Sequence, residues 1–191
     1  RRCLRWKESS IFWKTAGLYA RCDNLTAETK GEFVTVCASY TLPDGQTLPI
    51  DFAIDGAGRC DITMTWQGAR TELPEFGLLF PLRRELTEVS YLGLGPRETA
   101  ADRTAGGKMG AWNYNVRQDF AQNTPVYPQE CGSRTGVYRA ALTGRDTEVP
   151  GIRFASDDGM TFSALPYTPH ELENARHLQS DHRRLRTGRR S

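Results

Sequence analysis

Three carboxylates, Glu98, Asp102 and Glu130, stand in loop motifs of unusual composition and are the acids of this sequence best suited to proton transfer. Two carboxyls facing one carbon, one as acid and the other as nucleophile or base, are what hydrolysis of a glycoside requires. Arg103 and Arg134 lie close to them in sequence. The preferred reading is therefore plainer: the acids pair with these arginines or accept hydrogen bonds from loop backbone, because spacing along a chain does not set facing geometry.

The nearby Gly93-Leu94-Gly95-Pro96 lacks the helix that a dinucleotide fingerprint opens behind its glycines. That site is rejected, and the glycines are read as permitting a bent, mobile loop. His170 and His177 are seven residues apart, not the four of a metalloprotease helix, and no serine is flanked as Gly-x-Ser-x-Gly. Among the aromatics, Trp112 and Tyr127 fall in loop-like segments and could offer flat apolar faces to a sugar ring, although packing is the preferred role for each. Trp66 alternates with Ile62 and Met64 and is assigned to the core.

The elements that must hold these residues are strands. Glu32 to Leu42 places Val34, Val36, Ala38, Tyr40 and Leu42 on one face at period two. Pro43-Asp44-Gly45 supplies a turn, Leu48 to Ile54 a second strand, and Asp55-Gly56 the turn into a third from Cys60 to Gln67. Shorter strands are expected over Phe76–Leu82, Glu88–Leu92, Gly136–Leu142, Ile152–Ala155 and Met160–Ala164, with Asp158-Gly159 as a hairpin turn before the last. Thr168-Pro169-His170-Glu171 is a capping box that opens one short C-terminal helix. Trp6 to Lys14 reads equally as helix or loop. The fold class is all-β, an antiparallel sandwich.

Composition bounds the function. The 25 basic and 23 acidic residues leave a net charge of +2, which predicts no strong field toward nucleic acid or membrane. Arginines crowd both ends, and residues 179–191 are read as a disordered basic tail after a domain spanning 1–178. No 18-residue apolar run or signal peptide is visible. Five widely spaced cysteines, with no Cys-x-x-Cys, read as buried thiols of a reducing cytoplasm rather than a disulfide frame or zinc site.

Five fragments then fall in register with a known family. They are Trp13-Lys14-Thr15-Ala16-Gly17, Leu73-Pro74-Glu75-Phe76-Gly77, Tyr91-Leu92-Gly93-Leu94-Gly95-Pro96-Arg97-Glu98 with Asp102-Arg103, Pro128-Gln129-Glu130-Cys131-Gly132-Ser133-Arg134, and Phe162-Ser163-Ala164 with Tyr167-Thr168. From Trp13 to His177 the chain resembles the small-chain domain of bacterial β-galactosidases, glycoside hydrolase family 2. The resemblance implies a supersandwich similar to galactose mutarotase, incomplete here at both ends, that packs beside a TIM barrel or large chain. It also implies that the catalytic glutamates and the Mg2+ and Na+ sites lie in that barrel, with no cofactor on this chain. The partners so implied are the catalytic domain, a β-galactoside such as lactose and further copies of the complete enzyme. Gly93, Gly95, Pro96, Glu98, Asp102, Arg103, Trp112, Tyr127, Glu130 and Arg134 become candidates for a carbohydrate-contacting or active-site loop. Thr99-Ala100 replaces the family's Asn-Tyr, and Cys131 its Asn before Gly132. The alternative is a stand-alone carbohydrate-binding module.

Overall fold

A computed structural model describes residues 12–13, 15–69, 73–100, 102–123, 131–145 and 148–174. Trp6, Tyr127, Glu130, Cys3 and the 179–191 tail lie outside the described residues. The chain divides into two compact units, Arg1–Leu79 and Phe80–Ser191, although no linker composition marks the boundary. Each unit contains one four-stranded antiparallel sheet, so the all-β class expected from the sequence is the one adopted.

The first unit is a meander of β1 (Arg21–Lys30), β2 (Phe33–Thr41), β3 (Thr47–Asp55) and β4 (Cys60–Met64), in that order across the sheet. The anticipated turns form it. Gly45 takes a φ of 82°, and its N–H donates to Leu42 O at 2.9 Å. Asp55 Oδ1 accepts the N–H groups of Ala57 and Arg59, each at 2.9 Å, which closes the second turn as an Asx motif. Register then places Val34, Val36, Ala38 and Tyr40 opposite Ile54, Phe52, Ile50 and Leu48. Ala38, Leu42 and Ile50 are buried, whereas Leu25, Val34, Ile54 and Ile62 are exposed. Trp66 is half-buried and meets Trp13 edge-on at 5.5 Å. Phe12, Trp13, Thr15 and Ala16 are helical, and the rest of the segment from Trp6 to Lys14 lies outside the described residues.

β1 has no apolar alternation of its own and all ten residues are exposed; its strand state comes from pairing with β2. A register shift interrupts it between Cys22 and Asn24, and ion pairs Arg21–Asp23 and Lys30–Glu28 decorate it. The thiol expectation is corrected here. Cys22, Cys37 and Cys60 are free and exposed, because their strands leave them on the solvated face or at strand ends, and among the described cysteines only Cys131 is buried.

The second unit orders its sheet β6-β5-β7-β8, with β5 (Leu86–Gly95), β6 (Lys108–Asn115), β7 (Arg134–Gly144) and β8 (Ile152–Phe162). Helix α1 (Val116–Asn123) follows β6 directly and α2 (Pro169–Asn174) follows β8. The core is Leu86, Val89, Tyr91, Val116, Val137, Ala140 and Leu142, the inward positions of β5 and β7 with the first residue of α1. A satellite cluster joins Phe120 of α1, Cys131 and Leu172 of α2. The α2 capping box forms as written: Thr168 N–H donates to Glu171 Oε2 at 2.7 Å, and Glu171 N–H to Thr168 Oγ1 at 3.2 Å.

Three expectations change. Phe76 to Leu82 is irregular rather than a strand, with Phe76, Leu78, Leu79, Phe80 and Leu82 exposed; apolar content does not make a strand without a neighbour to pair with. Asp158-Gly159 is not a turn: β8 runs through it unbroken. Gly159, at φ 80°, faces Gly136, at φ 61°, across irregular β7–β8 pairing, so its left-handed conformation is spent on a bulge. Trp112 stands on strand β6, not in a loop.

Candidate functional site

The candidate residues gather where β5 ends and β7 begins. Gly93 and Gly95 belong to β5, not to a bent loop, and neither has positive φ. Their lack of a side chain serves close approach instead. A Cβ on Gly95 would lie 2.2 Å from Tyr91 Oη and 2.7 Å from Trp112 Cδ1. Trp112 is packed over this glycine and Gly110, and its indole N–H donates to Gly93 O at 3.2 Å. Its polar handle and ring are thus used internally.

After Pro96 the described residues 97–100 and 102–107 form a strap that docks against the start of β7. Thr99 is 2% exposed and pins it: its N–H donates to Ser133 O at 2.8 Å, and its Oγ1 accepts Thr135 N–H at 3.0 Å. Glu98 adds a second tie. One carboxylate oxygen is bound by Arg103, and Oε2 accepts the Gly132 N–H at 2.8 Å. Asp102 and Arg103 lie on the exposed part of the strap.

Arg134 is the buried charge of the site, 1% exposed. Its partner is Asp119 of α1, held by both terminal nitrogens of the guanidinium at 2.8 and 2.5 Å; Nη1 also donates to Gly132 O at 2.5 Å. The Tyr114 ring lies 4.2 Å below the guanidinium carbon, a cation–π contact. Burial alone would lower the Arg134 pKa, but the Asp119 carboxylate holds it above its ordinary value. Arg134 Nε and Tyr114 Oη are buried with no hydrogen-bond partner among the described residues. Gly132 makes the arrangement possible: it takes φ 77°, and a Cβ there would sit 3.3 Å from both Arg134 Nη1 and Asp119 Oδ2.

Of the sequence candidates, Gly93, Gly95, Pro96, Glu98, Arg103, Trp112 and Arg134 are brought together, and Asp102 stays on the rim. Asp119, Thr99 and Tyr91 were missed. A buried arginine in a sequence demands an acid, but Asp119 sits on a helix whose only signals are Asn115, which accepts the N–H groups of Arg117 and Gln118, and the Val116/Phe120 pair. Chemically the site is a clasp. Glu98 and Asp119 each face a guanidinium and flank Gly132 rather than a shared open space. Among the described residues no three His, Cys, Asp or Glu side chains gather to hold a metal, and no helix is long and apolar enough to cross a membrane.

Burial raises the phenol pKa of Tyr91 and Tyr114 above the ordinary 10.0. The unfolded chain therefore releases these protons first, so stability is intact below pH 10 and falls as pH rises beyond it. In an alkaline titration followed by phenolate absorbance, these two tyrosines are expected to ionise with loss of the near-UV dichroism of the fold. Ionisation of Tyr91 and Tyr114 with the fold intact would contradict the packing described.

The family described as "Beta galactosidase small chain" matches residues 5–188. A β-galactosidase of Lactobacillus delbrueckii subsp. bulgaricus is 35% identical over 170 residues, 86% of this chain and 16% of that protein. A β-galactosidase of Halalkalibacterium halodurans is 30% identical over 183 residues, 92% of this chain and 18% of that protein. A "Beta-galactosidase small subunit" of Latilactobacillus sakei is 33% identical over 210 residues, 91% of this chain and 65% of that subunit. The chain thus spans under a fifth of the length of the two β-galactosidases.

Proposed function

Because the chain belongs to the β-galactosidase small-chain family, we propose that it is an accessory, non-catalytic part of a cytoplasmic enzyme that hydrolyses terminal β-D-galactosides such as lactose. In this reading it supports a TIM-barrel catalytic domain or large chain, and the strap shapes the mouth of that domain's active site. The catalytic glutamates, Mg2+ and Na+ belong to the partner.

The observation that carries the reading is the state of Glu98. Both of its oxygens are occupied, by Arg103 and by the Gly132 N–H. A general acid or nucleophile needs an oxygen that faces the substrate, whereas the Glu98 side chain is 14% exposed and turns its oxygens to Arg103 and Gly132. Asp119 is bound at both oxygens by Arg134 in the same way. The need for a partner finds support in the first unit, where Leu25, Val34, Ile54 and Ile62 are exposed on a sheet whose register aligns them on one apolar face.

The test is complementation. The full chain, verified as folded by near-UV circular dichroism, is assayed on a chromogenic β-galactoside alone and with a family β-galactosidase truncated before this region. No turnover alone and restored turnover in the mixture is the expected result. Turnover by the chain alone, abolished in E98Q, would overturn it.

A further inference from the structure

We infer that the cleft at the α1 end of the second sheet is a docking site for a carboxylate-rich segment of a polypeptide partner. Register builds it: Glu88 of β5 lies opposite Asn115 of β6 on one side and Thr143 of β7 on the other. The segment before β5, the start of α1 and the end of β7 therefore converge. Arg84, Arg117 and Arg145 line one open cleft of about 640 Å³, with Glu85, Thr87, Asn115 and Gln118 completing it.

Its charge is only partly compensated. Arg83 and Arg84 share Glu85, Arg145 pairs with Glu88, and Arg117 adds a further cation, so these six described residues carry an excess of two positive charges. The Arg84 and Arg145 side chains are 89% and 79% exposed, and each meets its acid through Nε, Arg84 with Glu85 at 3.6 Å and Arg145 with Glu88 at 3.2 Å. Arg117 is placed where helix stability argues against it. It lies in the first turn of α1, where the helix dipole disfavours a cation, and it forms no ion pair among the described residues. An incoming anion would meet that side chain, the N–H groups of Arg117 and Gln118 being already bound by Asn115 Oδ1.

The rim already holds one carboxylate. Glu88 Oε1 accepts from Asn115 Nδ2 at 2.8 Å and from Arg145 Nε at 3.2 Å. These contacts, Asn115 first, hold the Glu88 carboxyl below its ordinary pKa. A guanidinium fork pairs with carboxylate in two-point geometry, which a second acid could repeat at Arg84 or Arg117. The openness of the cleft selects a polypeptide. A single small anion reaches one exposed arginine and is screened by solvent, whereas one segment bearing several carboxylates engages three in a single event.

The probe is hexaglutamate, titrated into the full chain at low ionic strength and followed by calorimetry and amide chemical shifts. Shifts are expected at Thr87, Asn115, Arg117 and Gln118. The double variant R84E/R117E, folded by circular dichroism, is expected to bind about tenfold more weakly or worse, with a flattened salt dependence. Charge reversal in the basic C-terminal stretch, R186E/R189E, is expected to leave binding unchanged. Equal binding by R84E/R117E, or a comparable loss in R186E/R189E, would overturn the site. Displacement of the peptide by equimolar inorganic phosphate would overturn the polypeptide assignment in favour of a small-anion site.

Discussion

Replacing Arg134 by alanine is expected to cost about 3–5 kcal/mol in denaturant unfolding of the full chain, the usual penalty for breaking a buried ion pair from one side. The side chains of Arg134 and Asp119 are 1% and 11% exposed, so the carboxylate left behind gains little water. Asp119→Ala is expected to fall in the same range, since it strands a 1%-exposed guanidinium without its counter-charge. The pair itself is another matter. Arg134 Nε and Tyr114 Oη are unpartnered among the described residues, so the network is not fully satisfied even in the native state. The double replacement R134M/D119L, which removes both charges and keeps apolar volume over Tyr114, is expected to recover most of either single loss. Additive losses in the double variant would show that the two residues act separately.

The second large effect is expected at Gly93. A Cβ there would lie 2.8 Å from Val137 Cγ2, 2.9 Å from Val137 Cα and 3.0 Å from Gly136 O. Two of these three contacts are to backbone, so a rotamer change cannot relieve them. G93V is expected to push β7 away from β5 and to cost about 1–3 kcal/mol, the range for overpacking a core that closes on the 0%-exposed Val137. Trimming the neighbour, G93V/V137A, removes only the Cγ2 contact and is not expected to restore stability. Gly106, which has open space around its Cβ position, is the control; G106A is expected to change stability by less than about 0.5 kcal/mol. A G93V protein as stable as G106A would refute the close approach.

The sequence is most readable where one strand carries its own instructions. β2, β3 and β4 announce themselves by period-two apolar residues between Asp- and Gly-containing turns, and the Thr168/Glu171 cap declares α2. β1 is silent, because Arg21 to Lys30 contributes backbone rather than apolar surface. Phe76 to Leu82 misleads in the opposite sense. The arginine clasp is half legible: Glu98 with Arg103 and with loop backbone follows from the motif, while Asp119 belongs to an eight-residue helix too short to show periodicity. Thr99 looks like a departure from the family pattern, yet it is the buried pin of the strap. Local propensity has no way to report a contact made across 36 residues.

β1 also constrains how anything can assemble on the first sheet. Among the described strands it is an edge, and an open edge invites growth by strand addition. It is, however, kinked by the shift between Cys22 and Asn24 and carries Arg21, Asp23, Glu28 and Lys30 along its length. These are the devices that stop a neighbouring chain from continuing a ladder of backbone hydrogen bonds. A protein that approaches this sheet from the β1 side therefore has to lie across its apolar face, reading side-chain shape, instead of lengthening the sheet at that edge.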